Sequence, residues 1–216
     1  MFTNSSYKAN VYPPSEDSFL LLDAIADDRA FIQQQCGDRE PETVVEIGVG
    51  SGYVLSGVGQ VFGTEGTEYY GVDVNPVALD ATTTTWAASG LDPSHLHVVL
   101  GDAGDALESG FGADVVLFNP PYVPTPPEEV GSDGIAASWA GGDRGRQVLD
   151  RVLPSILALL KPHGVFYLLL LAENDPDQVS SLLTDQGFSV SSIASTVAGP
   201  ESLSIHRIHR PKHPEQ

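Results

Sequence analysis

Residues Val165 to Leu171 form an unbroken apolar run, Val-Phe-Tyr-Leu-Leu-Leu-Leu. A strand apolar on both faces belongs in the middle of a parallel sheet, where helices cover it from either side. Four shorter runs precede it: Thr43 to Ile47, Glu68 to Asp73, Leu96 to Leu100 and Asp114 to Phe118. Each closes on a polar or glycine-bearing cluster. Helical patterns alternate with them. One starts behind Ser15, a capping residue followed by the first-turn acids Glu16 and Asp17. Others run from Gly52 to about Phe62, from Pro76, from Gly145 to Leu160 and from about Asp177 to Gln186. Two late strands, Phe188–Ile193 and Leu203–Ile208, complete the pattern. Strands alternating with helices predict a doubly wound α/β sheet.

The length of 216 residues fits one generous domain or two cramped ones, and the pattern is read as a single domain over 1–216. The charge balance is unusual: 29 acidic residues face 10 basic ones, a formal net charge of −19, and the only lysines are Lys8, Lys161 and Lys212. Such a surface repels phosphates, which argues against non-specific binding of nucleic acid or anionic membrane. It also suits a protein kept hydrated in concentrated salt, where a Debye length of about 3 Å at 1 M mutes the repulsion. The single cysteine, Cys36, lies in a polar stretch and reads as an incidental thiol. The apolar run ending at Ala172 is far shorter than the ~20 residues of a membrane span, and the N-terminus lacks an apolar signal core. The expectation is a soluble, cytoplasmic protein. Between Val123 and Arg144 a Pro-, Gly- and Glu-rich segment shows no periodicity; loops that long are usually functional or disordered.

In open α/β sheets ligands bind beyond the carboxyl ends of the strands, and four polar clusters fall there. The first is Glu46-Ile47-Gly48-Val49-Gly50-Ser51-Gly52, whose glycines let backbone approach a ligand ahead of a helix N-terminus. The second is Asp73, placed to accept both hydroxyls of a ribose. The third is Asp102-Ala103, suited to an adenine amino group. The fourth, Asn119-Pro120-Pro121-Tyr122, is the sharpest. An amide or exocyclic amine nitrogen is a poor nucleophile because its lone pair is delocalised. If the Asn119 side-chain oxygen and the Pro120 carbonyl accept its two N–H bonds, the lone pair is aimed away from them. The two prolines stiffen that corner and Tyr122 can stack on a planar group. Catalysis of this kind is positioning and dipoles, and orientation alone can supply ~7–11 kcal/mol of a barrier.

Taken together, Glu46 to Gly52, Asp73, Asp102 and Asn119 to Tyr122 resemble the motifs of class I S-adenosylmethionine-dependent N-methyltransferases. Three further segments resemble the archaeal and eukaryotic HemK-type branch: Val11 to Asp23, Pro120 to Gly131, and Ser138-Trp139-Ala140-Gly141-Gly142. The resemblance implies a Rossmann-like, seven-stranded, mostly parallel sheet with helices on both faces. It implies methylation of the glutamine side-chain amide in the Gly-Gly-Gln loop of a class I peptide-chain release factor. Position by position it implies cofactor contacts at Ser18, Glu46, Gly48, Gly50, Asp73, Asp102, Ala103 and Asn119, and a substrate clamp at Asn119, Pro120, Pro121 and Tyr122. Pro13 and Val49 depart from the usual residues of the branch. An N-terminal helical segment of about 1–40 is expected over the cofactor site, and a flexible tail at about 209–216.

The resemblance also implies a partner, a small zinc-binding activator subunit. In that fold the strand Leu96–Leu100 lies at a sheet edge, apolar and without lysine or proline to guard it. No metal site is expected in this chain itself; the six histidines read as solvated or edge-strand residues. Arg144, Arg146 and Arg151 read as bases on a helix surface that could meet an acidic release factor. Two alternatives stand beside this reading. One is an N6-adenine or N2-guanine methyltransferase of DNA or RNA, since the clamp suits any planar N–H₂ group. The other is a non-catalytic nucleotide-binding or scaffold subunit.

Overall fold

A computed structural model describes residues 11–131 and 138–211. Strands β1 (Thr43–Ile47), β2 (Glu68–Asp73), β3 (Leu96–Leu100), β4 (Ala113–Phe118), β7 (Leu160–Leu171), β8 (Ser189–Ala198) and β9 (Glu201–His209) form one sheet in the order β3-β2-β1-β4-β7-β9-β8. Strands β3, β2, β1, β4 and β7 run parallel, whereas β9 is antiparallel to both β7 and β8. The apolar run beginning at Val165 is thus a central strand, buried throughout.

Alternate residues of the strands face two separate apolar layers. Val44, Val115, Leu117, Tyr167 and Leu169 pack with α1 (Glu16–Asp27), α2 (Arg29–Gln35), α3 (Tyr53–Phe62) and α4 (Pro76–Ala88). Val45, Val116, Phe118, Phe166 and Leu168 pack instead with α5 (Gln147–Ala158) and α6 (Pro176–Asp185). Burial on both faces is why these strands read as continuous apolar sequence.

Several local expectations are revised. The fifth helix begins at Gln147, not Gly145, because Gly142, Arg144 and Gly145 all have positive φ (71°, 52° and 67°). Ser15 does precede α1, but its hydroxyl donates to Asp17 Oδ1 (3.2 Å) rather than capping the backbone. Cys36, despite its polar sequence surroundings, is buried against Ile32 and its neighbours. His206 is buried within β9, its Nε2 3.0 Å from Ser204 Oγ, so it is neither solvated nor on an edge. Burial holds the His206 imidazole below its ordinary pKa.

The aperiodic segment contributes a second, two-stranded parallel sheet, β5 (Val123–Pro124) with β6 (Ala140–Gly142). Residues 1–10 of the expected N-terminal segment, residues 132–137, and residues 212–216 of the expected tail lie outside the described residues, and His209, the expected start of that tail, is the last residue of β9. None of the helices among the described residues is long and apolar enough to cross a membrane.

Candidate active site

The carboxyl ends of β1, β2, β3 and β4 meet over a cavity of about 810 Å³. Every residue expected of the site lines it: Ser18, Glu46, Gly48, Gly50, Asp73, Asp102, Ala103, Asn119, Pro120, Pro121 and Tyr122. Lining residues Val11, Tyr12, Pro13 and Ser15 come from the segment leading into α1, and Asp17 from its first turn.

The glycine loop takes its shape from sequence. Gly48, Gly50 and Gly52 have φ of +67°, +54° and +73°, a region costly for residues with a Cβ. At Gly52 a Cβ would also sit 2.6 Å from Thr82 Cα. The Asp73 carboxylate ties this loop to the start of α4: its Oδ2 accepts from Gly50 N (2.9 Å) and its Oδ1 from Asn75 N (2.9 Å). Burial raises the Asp73 pKa despite those bonds.

Glu46 is almost completely buried, and its Oε2 has no hydrogen-bond partner. Burial pushes its pKa well above the usual carboxylate range, with the charge of Asp73 adding to the effect. A buried polar atom without a partner is expensive, so such an atom in a cavity wall marks where a ligand donor belongs.

Asp102, expected beside an adenine amino group, also serves a partner within the chain. Its carboxylate is half-exposed and takes a two-pronged bond from Arg151, at 2.6 and 3.2 Å. Ala103, beside it, is buried with φ +51°. The three arginines are not an array of free bases either. Arg146 is buried and bonded to Asp150 and Gln178. Arg144 sits on a turn and reaches Gln178.

At the clamp, Asn119 Nδ2 donates to Asp17 Oδ2 at 2.8 Å, and Asn119 Oδ1 is a buried acceptor with no partner. The Tyr122 hydroxyl stands 3.5 Å from both Asp17 Oδ2 and Glu201 Oε2. Burial and those two acids raise the phenol's pKa. Behind the corner, Asn174 donates to the Tyr122 carbonyl (2.8 Å) and the Arg144 carbonyl (2.9 Å), and its Oδ1 accepts from Leu171 N (2.8 Å). A Cβ on Gly141 would lie 2.5 Å from the Pro121 carbonyl oxygen. The Trp139-Ala140-Gly141-Gly142 stretch therefore backs the clamp loop closely, and only glycine permits it.

Sequence reasoning missed Asp17, Glu201 and Asn174. Asp17 read as a helix-start acid, although it lies within the Val11–Asp23 signature. Glu201 and Asn174 carried no signal, because only the folded sheet brings them to the site.

A second cluster at the opposite end of the sheet joins Cys36, Asp114 and His163. Asp114 Oδ2 there accepts from Lys161 Nζ (2.9 Å) and from the amides of Glu42 (2.9 Å) and Thr43 (3.0 Å), and His163 Nε2 is 2.6 Å from Oδ1. These bonds make Asp114 an ionic clasp between β1 and β7. Burial and nearby Asp114 push the Cys36 thiol up to about 11.

The chain is similar to known methyltransferases in sequence and in fold. Methyltransferase HEMK2 of Homo sapiens is 38% identical over 199 residues, 91% of this chain and 88% of its own length. The eRF1 methyltransferase catalytic subunit mtq2 of Schizosaccharomyces pombe is 34% identical over 211 residues, 93% and 90%. The chain belongs to the HEMK2/Mtq2 methyltransferase family. No protein-family model matches it. Among solved structures, the E. cuniculi Mtq2–Trm112 complex, responsible for methylating the termination factor eRF1, aligns with a TM-score of 0.64 at 24% identity, covering 94% of this chain and 99% of that one. A METTL16 methyltransferase domain aligns at 0.63 and 16% identity, covering 92% and 84%. HEMK2/Mtq2 membership accounts for the Rossmann-like, seven-stranded class I methyltransferase fold.

Proposed function

We propose that this chain is an S-adenosylmethionine-dependent methyltransferase that modifies the glutamine side-chain amide of the Gly-Gly-Gln loop in a class I release factor. The observation that carries the reading is the orphaned Asn119 Oδ1, buried in the wall of the cavity beside Pro120. An acceptor without a donor, next to a proline carbonyl, suits a group presenting two N–H bonds. The termination-factor methylation named for the mtq2 relative and for the E. cuniculi complex supports the same assignment.

The cavity fits the cofactor. Asp73 is placed for ribose hydroxyls, the open glycine loop for close backbone approach, and the unpartnered Glu46 Oε2 for a donor on the amino acid moiety. Ser18, Ala103 and Asp102 complete the wall, with Arg151 holding Asp102. When bound, the cofactor supplies an electrophilic methyl group. Asn119 and Pro120 fix the acceptor amide so that its lone pair faces away from their oxygens. Tyr122 and the prolines hold its plane. No histidine or lysine lines the cavity among the described residues, and none is required. Once it has accepted the methyl group, the amide nitrogen is strongly acidic and loses one of its protons to water. The segment leading into α1 closes the site as a cover belonging to the same single domain.

The same reading includes a small zinc-binding activator on the edge strand β3, whose Val98 and Leu100 are exposed. An unguarded edge invites pairing by another chain, and the Trm112 partner of the E. cuniculi complex supports it. A release factor substrate places the protein in the cytoplasm.

Mass spectrometry of the release factor's Gly-Gly-Gln peptide, after incubation with this chain, its activator and cofactor, tests the proposal. The expected result is a gain of one methyl on the glutamine, absent with Asn119→Ala. Methyl label appearing only in added tRNA or DNA overturns it.

A further inference from the structure

We infer that Asp17 is the positioning residue that sets the polarity of the Asn119 amide, and through it the end of a substrate amide that the site accepts. This rests on the function proposed above. The Asp17 carboxylate is buried and pinned at one oxygen by three donors: Ser18 N (2.6 Å), Ser18 Oγ (3.2 Å) and Ser15 Oγ (3.2 Å). That leaves Oδ2 facing Asn119 Nδ2 at 2.8 Å and the Tyr122 hydroxyl at 3.5 Å.

A carboxylate only accepts, and an asparagine amide has one accepting and one donating end. The NH₂ end must therefore meet Asp17, and the oxygen is left for the substrate. Turned over, Asn119 would set oxygen against carboxylate and present NH₂ to NH₂ across the cavity. Both contacts would be repulsive. Donation to a charged acceptor also polarises the amide, which strengthens Oδ1 as an acceptor for the substrate N–H. Asp17 reaches across 102 positions of sequence to do this, acting on the substrate only through Asn119.

The test is a reciprocal exchange. In Asp17→Asn, the three donors retain the new side chain's oxygen, so its NH₂ faces Asn119, which turns over. The kcat on the Gly-Gly-Gln peptide should fall by about 100-fold or more, with cofactor Kd within about threefold. In Asn119→Asp alone, two carboxylates face each other and turnover also collapses. In the double variant Asp17→Asn/Asn119→Asp, the donor and acceptor exchange places and an oxygen again faces the substrate. It should recover at least about tenfold over Asp17→Asn, a non-additivity that general destabilisation does not produce.

A second readout is independent of the acceptor. The Asn119 side-chain NH₂ signals in ¹H–¹⁵N NMR, assigned by their loss in Asn119→Asp, should exchange slowly with solvent in the wild type and rapidly in Asp17→Asn. Unchanged exchange in Asp17→Asn, kcat within threefold of wild type, or a double variant no better than Asp17→Asn overturns the role of Asp17. A wild-type enzyme that leaves the Gly-Gly-Gln peptide unmodified overturns the proposed substrate instead, and the NMR arm still decides on Asp17.

Discussion

Replacing Gly145 with alanine measures how firmly the clamp depends on what stands behind it. Gly145 has φ +67°, and an added Cβ would collide with the Tyr122 carbonyl oxygen, lie 2.7 Å from the carbonyl carbon and 2.5 Å from Asn174 Nδ2. Real Cβ atoms essentially never approach closer than 3.0 Å, so either the clamp loop or Asn174 must give way. The backbone conformation alone costs about 1–2 kcal/mol. Losing the bond from Asn174 to the Tyr122 carbonyl, and leaving buried groups unsatisfied, adds about 1–3 kcal/mol. A loss of about 3–4 kcal/mol corresponds to about 10 °C in Tm for a chain of this size. Gly66→Ala is the control: its φ is +80°, but nothing lies within 4 Å of the added Cβ. It should show only the backbone penalty, about 4 °C. Activity separates the two further. Displacing the Tyr122 carbonyl on the order of 1 Å shifts the whole corner, and misplacement of that size can lower kcat by about 100-fold. Thermal unfolding followed by circular dichroism, with kcat measured on the Gly-Gly-Gln peptide below the transition, reads both effects. Equal Tm losses for the two variants, or a Gly145→Ala enzyme with more than half of wild-type kcat, would refute the reasoning.

Three other perturbations have definite signs. Burial raises the folded pKa of Glu46, so its stability cost grows as pH rises from the ordinary Glu value through the folded one. Glu46→Gln should therefore raise the Tm of the free protein at pH 7 by about 2–4 °C per kcal/mol relieved, while weakening cofactor binding about tenfold by calorimetry. Burial tends to raise the pKa of Asp114, but Lys161 and His163 outweigh it and hold the group below its ordinary value. Its contribution is thus present above about pH 3.9 and lost as pH falls through the folded value. Asp114→Asn should cost about 2–3 kcal/mol at pH 7, and denaturant titrations should show the gap to wild type closing in acid. On β3, Val98→Lys/Leu100→Lys should make the lone chain more soluble and abolish activator capture in pull-downs. Unimpaired capture would place the partner elsewhere.

The parallel core was legible because Val165–Leu171 and Asp114–Phe118 are buried on both faces, and burial that complete leaves no polar alternation to misread. Strand-end motifs were legible too, since Glu46, Asp73, Asp102 and Asn119 each close an apolar run. Relations between distant segments were not. Nothing local announces that Asp17 faces Asn119, that Glu201 approaches Tyr122 from an antiparallel strand, or that Arg151 occupies Asp102. Arg146 looked like a surface base and is instead enclosed by its partners. Burial of a charged residue depends on what another element brings to it.

Strand β9 follows β8 in sequence but lies inside the sheet, between β7 and β8. Until residues 201–209 exist, β7 has no neighbour on that side, β8 has nothing to pair with, and Glu201 is missing from the cavity mouth. A nascent polypeptide that has reached only residue 200 carries every motif of the glycine loop and clamp yet cannot close its architecture. Truncation ahead of β9 should accordingly yield an unfinished sheet rather than a weakened enzyme.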